Sequence, residues 1–181
     1  MFWKKKTNID MVKDFEFIKT KTCCFTGHRP QKLPWRFNEK DERCQKMRIK
    51  AIIEIEDAIQ KGYDTFISGM AIGFDMICAE IVLELKKIYP HIKLVGAIPC
   101  NGQEKVWNEE SQVRYKRIVK QLSWKWIGAE SYSNECMHKR NDYMLNNSSL
   151  VIALFDGKQG GTQSTILKAK KMGLETIIIE P

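Results

Sequence analysis

The chain has 181 residues, 43% of them hydrophobic, and a formal charge of +8, which suits one globular domain large enough to bury a core without disulfide or metal staples. No apolar run approaches the roughly 18 residues of a membrane span, and the first residues lack the apolar centre of a signal peptide, so a cytoplasmic protein without a membrane partner is expected. Part of the positive excess is the run Lys4, Lys5 and Lys6, and solvated lysines account for it without a nucleic-acid partner.

In chain order, residues 1–20 lack clean periodicity and read as an arm or short helix, leaving 21–181 as one domain. The first strand is Thr22 to Phe25, running into Thr26-Gly27-His28-Arg29-Pro30. Residues 41–62 carry Met47, Ile49, Ile52, Ile53, Ile55, Ala58 and Ile59 at helical spacing, with Gly62 as the stop. Thr65 to Ile67 is a second strand, followed by the glycine-bearing elbow 68–75 and a helix to about Tyr89. Lys93 to Ile98 is a third strand closed by Pro99, and a helix from about Glu109 to Leu122 leads to a short edge strand at 124–127. Residues 135–147 read as helical. The chain then closes on a strand (150–155), the loop Asp156-Gly157-Lys158-Gln159-Gly160-Gly161-Thr162, a helix to Lys171 and a last strand (176–179).

Strands alternating with helices predict an α/β fold, a Rossmann-like open, mostly parallel sheet with helices on both faces. A reversal of strand order would set the first strand beside 150–155, with a ligand crevice at their carboxyl ends. Three polar, glycine-bearing loops converge there: 26–30, 68–75 and 156–162. A helix opening on Gly160-Gly161-Thr162 offers unpaired N–H groups and a favourable dipole to a phosphate, and the bland competitor is a tight turn capped by Thr162.

The candidate residues follow from these loops. Arg29 can grip phosphate through its planar fork and His28 can donate or change charge. Gly27 and Gly69 allow close approach, beside Ser68, and Asp75 either caps a helix or accepts from a sugar hydroxyl. Gln103 is suited to a base edge, and Trp107 either stacks on it or packs in the core. Arg140 and Asn141 lie near the start of a helix. The six cysteines show no C-x-x-C pair and the three histidines no metal spacing, so buried reduced thiols and no metal or redox cofactor are expected.

Taken together, Thr26-Gly27-His28-Arg29-Pro30, the elbow Ser68-Gly69-x-Ala71-x-Gly73-x-Asp75, Gln103-x-x-x-Trp107, Arg140-Asn141-x-x-Met144 and Gly160-Gly161-Thr162 resemble the YpsA-like branch of the SLOG superfamily. Relatives there include the cytokinin-activating phosphoribohydrolases and the DNA-uptake protein DprA. The resemblance implies a nucleotide or nucleotide-derived ligand held by Gly27, His28, Arg29, Ser68, Gly69, Asp75, Gln103, Trp107, Arg140, Asn141, Gly160, Gly161 and Thr162, and allows a homo-oligomer. In the phosphoribohydrolases a glutamate and an arginine serve catalysis. Arg140 matches the arginine, but Thr165 stands at the glutamate position, with Glu104 as a substitute carboxylate if the chain is an enzyme. Single-stranded DNA binding of the DprA kind is the less favoured alternative, because the chain shows no dense basic and aromatic stripe.

Overall fold

The computed structural model describes residues 14–181. Lys4, Lys5, Lys6 and most of the predicted arm lie outside the described residues. Among the described residues six strands, β1 (Thr22–Gly27), β2 (Thr65–Ser68), β3 (Lys93–Ile98), β4 (Trp124–Ile127), β5 (Leu150–Leu154) and β6 (Glu175–Ile179), form one sheet in the order β4-β3-β2-β1-β5-β6. Every neighbouring pair is parallel. Five α-helices accompany them: α1 (Glu42–Gln60), α2 (Phe74–Leu85), α3 (Glu109–Val119), α4 (Asn134–Asn146) and α5 (Gly161–Lys171). The expected open α/β architecture is present, with a sheet that is wholly rather than mostly parallel.

Successive strand residues point to opposite faces, and both faces are covered, which is why the central strands read as unbroken apolar runs. Cys23, Phe25, Phe66, Leu94, Leu150 and Ile152 pack on one side with residues of α1, α2 and α3. Cys24, Ile67, Val95, Val151 and Ala153 pack on the other with Met144 and Leu145 of α4 and Ile166 and Ala169 of α5. All six cysteines are buried free thiols.

The helix α1 departs from its sequence pattern. Its buried stripe is Cys44, Met47, Ala51, Ile55, Ala58 and Ile59, whereas Ile49, Ile52 and Ile53 are 57%, 38% and 57% exposed. A helix turns one stripe to a sheet, and 100° steps carry these three isoleucines round to the outer side. Before β1, Phe15 lies 6.4 Å from Trp124 and Phe17 meets Tyr143 edge-on at 5.9 Å, so residues 14–18 border the α4 side of the core.

The chain builds β1 to β4 outward in one direction, then returns across the sheet to place β5 against the free side of β1, with Cys23 opposite Leu150 and Gly27 opposite Leu154. That reversal parts the loops at the carboxyl ends of β1 and β5 and leaves a crevice between them.

Candidate functional site

At the switch point a hollow of about 370 Å³ opens between the end of β1, the elbow before α2, the middle of α4 and the start of α5. Gly27, His28, Arg29, Asp75, Arg140, Asn141, Gly161 and Thr162 line it. A second hollow of about 310 Å³, with Gln103, Trp107 and Tyr132 in its wall, adjoins it across Arg29 and Met137, which border both. On the other flank Gln31 and Lys32 lead to an open trough of about 760 Å³ that reaches Arg36 and Lys158.

The helix starts around the hollow differ from those elsewhere. Asp41, Asn108 and Ser133 cap α1, α3 and α4 with side-chain oxygens that accept from backbone N–H groups. Glycines stand at the N-caps of α2 and α5, Gly73 and Gly160, and neither supplies a side-chain cap. Gly160 has φ 153° and ψ −169°, a backbone that side-chain-bearing residues rarely adopt. The first turn of α2 carries the acidic Asp75; that of α5 carries no acidic residue. The N–H groups of Gly161, Thr162 and Gln163 precede the first helical bond, from Ser164 N to Gly160 O, and have no partner among the described residues. A side chain added at Gly161 would meet nothing within 4 Å.

Lining the same hollow as that open start is a buried arginine. Arg140, 7% exposed, donates through Nη1 to the Gly69 carbonyl at 2.7 Å and to Asp75 Oδ2 at 3.3 Å, while its Nε has no partner among the described residues. Burial is the larger influence on both charges, lifting the Asp75 carboxyl above its ordinary range and lowering the Arg140 guanidinium against their mutual attraction. Asp75 Oδ2 also accepts from Ala71 N at 3.4 Å, so this carboxylate ties the elbow rather than capping its own helix. Gly69 serves the arginine: a Cβ there would overlap Nη1 and lie 2.8 Å from Cζ. Ser68 is completely buried, donating to the Asp75 carbonyl and accepting from Met70 N, and it borders neither hollow. Gly27 makes room for α2, since a Cβ there would sit 2.6 Å from Phe74 Cβ.

His28 is 3% exposed and bridges the loops after β1 and β5: Nε2 is 2.6 Å from Asp156 Oδ1, and Nδ1 is 3.4 Å from Thr162 Oγ1. The backbone N–H of Lys158, helped by His28 and the Lys158 ammonium, holds the Asp156 carboxyl down to about 2. Asn141 donates to Thr165 Oγ1 at 3.2 Å, and Thr165 donates to the Gly161 carbonyl at 3.0 Å. The Thr165 hydroxyl is thus tied to the helix backbone. Gln103 donates to the Met70 carbonyl at 3.2 Å, and Trp107 is half-buried, edge-on to Tyr115 at 5.5 Å, with its margin in the second hollow. Glu104 borders neither hollow.

Sequence reasoning did not single out Lys32, Met137 and His138 in the main hollow, Tyr132 in the second, or Asp156 beside His28. Asp156 carried a signal, an acidic residue directly after a strand and before a glycine turn. The others carried none.

The YpsA family model, described as the YspA SLOG family, matches residues 23–176. The chain belongs to the YpsA SLOG family. Among its relatives, this YpsA-family chain is 34% identical over 145 residues to the uncharacterized SPbeta prophage-derived protein YoqJ of Bacillus subtilis, covering 73% of this chain and 85% of YoqJ. It is 30% identical over 139 residues to a UPF0398 protein of Brevibacillus brevis, covering 75% and 74% of the two. Its fold is similar to that of DNA processing protein A from Helicobacter pylori, a structure described for its single-stranded DNA binding mode, with a TM-score of 0.61 at 15% identity over 88% of this chain and 65% of that one. DprA from Streptococcus pneumoniae matches with a TM-score of 0.60, also at 15% identity, over 88% of this chain and 50% of that one. The YpsA-family chain therefore spans less than two thirds of these two structures' lengths, and the likeness is one of fold. Among the described residues no helix is long and apolar enough to cross a membrane.

Proposed function

We propose that the protein binds a nucleotide or nucleotide-derived ligand at the carboxyl edge of its sheet. The observation that carries this reading is that the uncapped start of α5 and the buried Arg140, whose Nε is unpartnered among the described residues, stand in the wall of one hollow. Free N–H groups, a helix start with no acidic residue in its own first turn and a buried guanidinium in the same wall suit an anion. On this reading phosphate sits at Gly160, Gly161 and Thr162, with Arg29 at the rim. Gln103, Trp107 and Tyr132 in the adjoining hollow then meet a base or a second sugar. Cell interior is the expected compartment.

Calorimetric titration and thermal denaturation with nucleoside phosphates, NAD and ADP-ribose test it. A ligand at a hundred times its dissociation constant should add about 2.7 kcal/mol to folding. Gly161→Val should abolish binding and leave the fold intact, because Gly161 borders the hollow and a Cβ added there meets no atom within 4 Å. No heat and no stabilisation across the panel would refute the reading.

A second reading, single-stranded nucleic acid, is favoured by the fold likeness to DprA and by the trough that continues past Lys32 toward Lys158. Strand binding that neutralises six phosphates gives a log–log salt slope of about −4, from about −0.7 per phosphate. A single-nucleotide site falls off gently. Tight, length-dependent anisotropy of labelled oligonucleotides that survives Gly161→Val would favour the second reading. Hydrolysis of a nucleoside monophosphate is not proposed: Thr165 stands where the carboxylate belongs, and chromatography after prolonged incubation should show no free base.

A further inference from the structure

A carboxylate, an imidazole and a hydroxyl stand in line under the start of α5. Asp156 Oδ1 is 2.6 Å from His28 Nε2, and His28 Nδ1 is 3.4 Å from Thr162 Oγ1. With His28 3% and Thr162 9% exposed, solvent has little access to these contacts. The short contact decides the tautomer. A bare Nε2 would set its lone pair against a carboxylate oxygen, so Nε2 carries a hydrogen whether the ring is neutral or charged. The Asp156 N–H, 3.4 Å from Nε2, is too distant to outweigh that contact. The proton that comes and goes is therefore the one on Nδ1, on the side of Thr162.

Two hydrogen-bond directions follow. With Nδ1 bare, Thr162 donates its only proton to the ring, and its hydroxyl offers an anion nothing but lone pairs. With Nδ1 protonated, the ring donates to Thr162, and the hydroxyl proton is free to point at an anion held by the first N–H groups of α5. We infer that this site takes up an anionic group of the phosphate or sulfate kind together with one proton, which resides on His28 Nδ1, so that the His28–Thr162 pair selects the charge state accepted. The inference rests on the anion-site reading above.

The other charges around the ring are accounted for. Asp156 stays ionised and also pairs with Lys158 at 3.2 Å. From the loop after β1, Arg29 and Lys32 border the hollow; from α2 and α4 come Asp75 and Arg140, paired with each other. His138 of α4 is the other imidazole there.

Sulfate is the probe, because it keeps its own charge where imidazoles in general change theirs, about pH 5 to 8, so any pH dependence belongs to the protein. The full chain is titrated with sodium sulfate by calorimetry at constant ionic strength, in two buffers of different ionisation heat. Binding should consume up to one proton per sulfate, and affinity should fall by up to about tenfold per pH unit as the pH rises. His28→Gln should bind with a flat pH profile, Thr162→Val should lose the gain at low pH, Thr162→Ser should keep it, and His138→Gln should leave the profile unchanged. Sulfate bound with equal affinity at every pH and no proton exchange would overturn the proposal, as would a profile that disappears in His138→Gln. The proton count on the unmodified protein decides the question even if His28→Gln fails to fold. A protein that takes no sulfate at any pH refutes the anion site itself rather than its coupling to a proton.

Discussion

Replacing Gly69 by alanine puts a methyl group where the Arg140 guanidinium lies. The notional Cβ overlaps Nη1 and comes within 2.7 Å of Asp75 Oδ2, so the guanidinium must leave both the Gly69 carbonyl and the carboxylate. Gly69 is not among the positive-φ residues, so alanine fits its backbone, and the change tests the contact rather than the conformation. Uncoupling a buried ion pair costs about 3–5 kcal/mol. The stiffer unfolded chain returns about 0.4–1 kcal/mol. The net loss is about 2–4.6 kcal/mol, and at about 2–4 °C per kcal/mol for a chain of this size Tm should fall by about 4–18 °C. Urea unfolding and calorimetry measure it, with Arg140→Met as the second arm of a double-mutant cycle. Once the guanidinium is gone, only the Asp75 oxygen opposes the methyl group, so adding Gly69→Ala should cost much less, and the difference is the coupling. Equal losses in both backgrounds would refute the assignment of Gly69 to the arginine.

Gly27→Ala should destabilise by about 1–3 kcal/mol through overpacking against Phe74, read from the urea midpoint; no loss would mean that α2 shifts freely. The Asp156 carboxyl is held at about 2, below the roughly 3.9 of an unfolded aspartate, so its stabilisation is complete above about pH 4 and is lost as pH falls toward 2. Asp156→Asn should lower stability at neutral pH and flatten the acid limb in that window; a limb superposing on the unmodified protein's contradicts this. Phe17→Ala removes the edge-on contact with Tyr143, worth about 0.5–1.5 kcal/mol beyond its buried area, and thermal melts of single and paired substitutions with Tyr143→Leu should show the coupling.

Much of this was legible before any coordinates. The strand bounds at 93–98 and 124–127 and the adjacency of β1 and β5 follow from apolar runs, turn residues and the handedness of crossovers, which are local or topological signals. What each glycine makes room for was not legible, because the neighbour lies far along the chain. Gly69 reads as a place for a ligand until Arg140 is seen in it, and Gly27 until Phe74 is. Ser68 and Asp75 look like ligand contacts for the same reason, yet Ser68 spends its hydroxyl inside the elbow and Asp75 holds Arg140. On α1 the many isoleucines made the apolar stripe look wider than the face a sheet can cover, while the small Cys44 and Ala51 that do the packing were overlooked.

The strand order carries a consequence for how the molecule is made. One edge of β1 is covered by β2, but the other waits for Leu150–Leu154, which leaves the ribosome only after everything from β2 to α4 has been synthesised. Throughout that interval the Cys23-Cys24-Phe25 stretch presents bare amide and carbonyl groups and an apolar face to its surroundings. Nascent chains stalled before Leu150 should therefore engage holdase chaperones through this segment and release them as β5 docks, which makes the late strand, rather than the first, the step that commits the sheet.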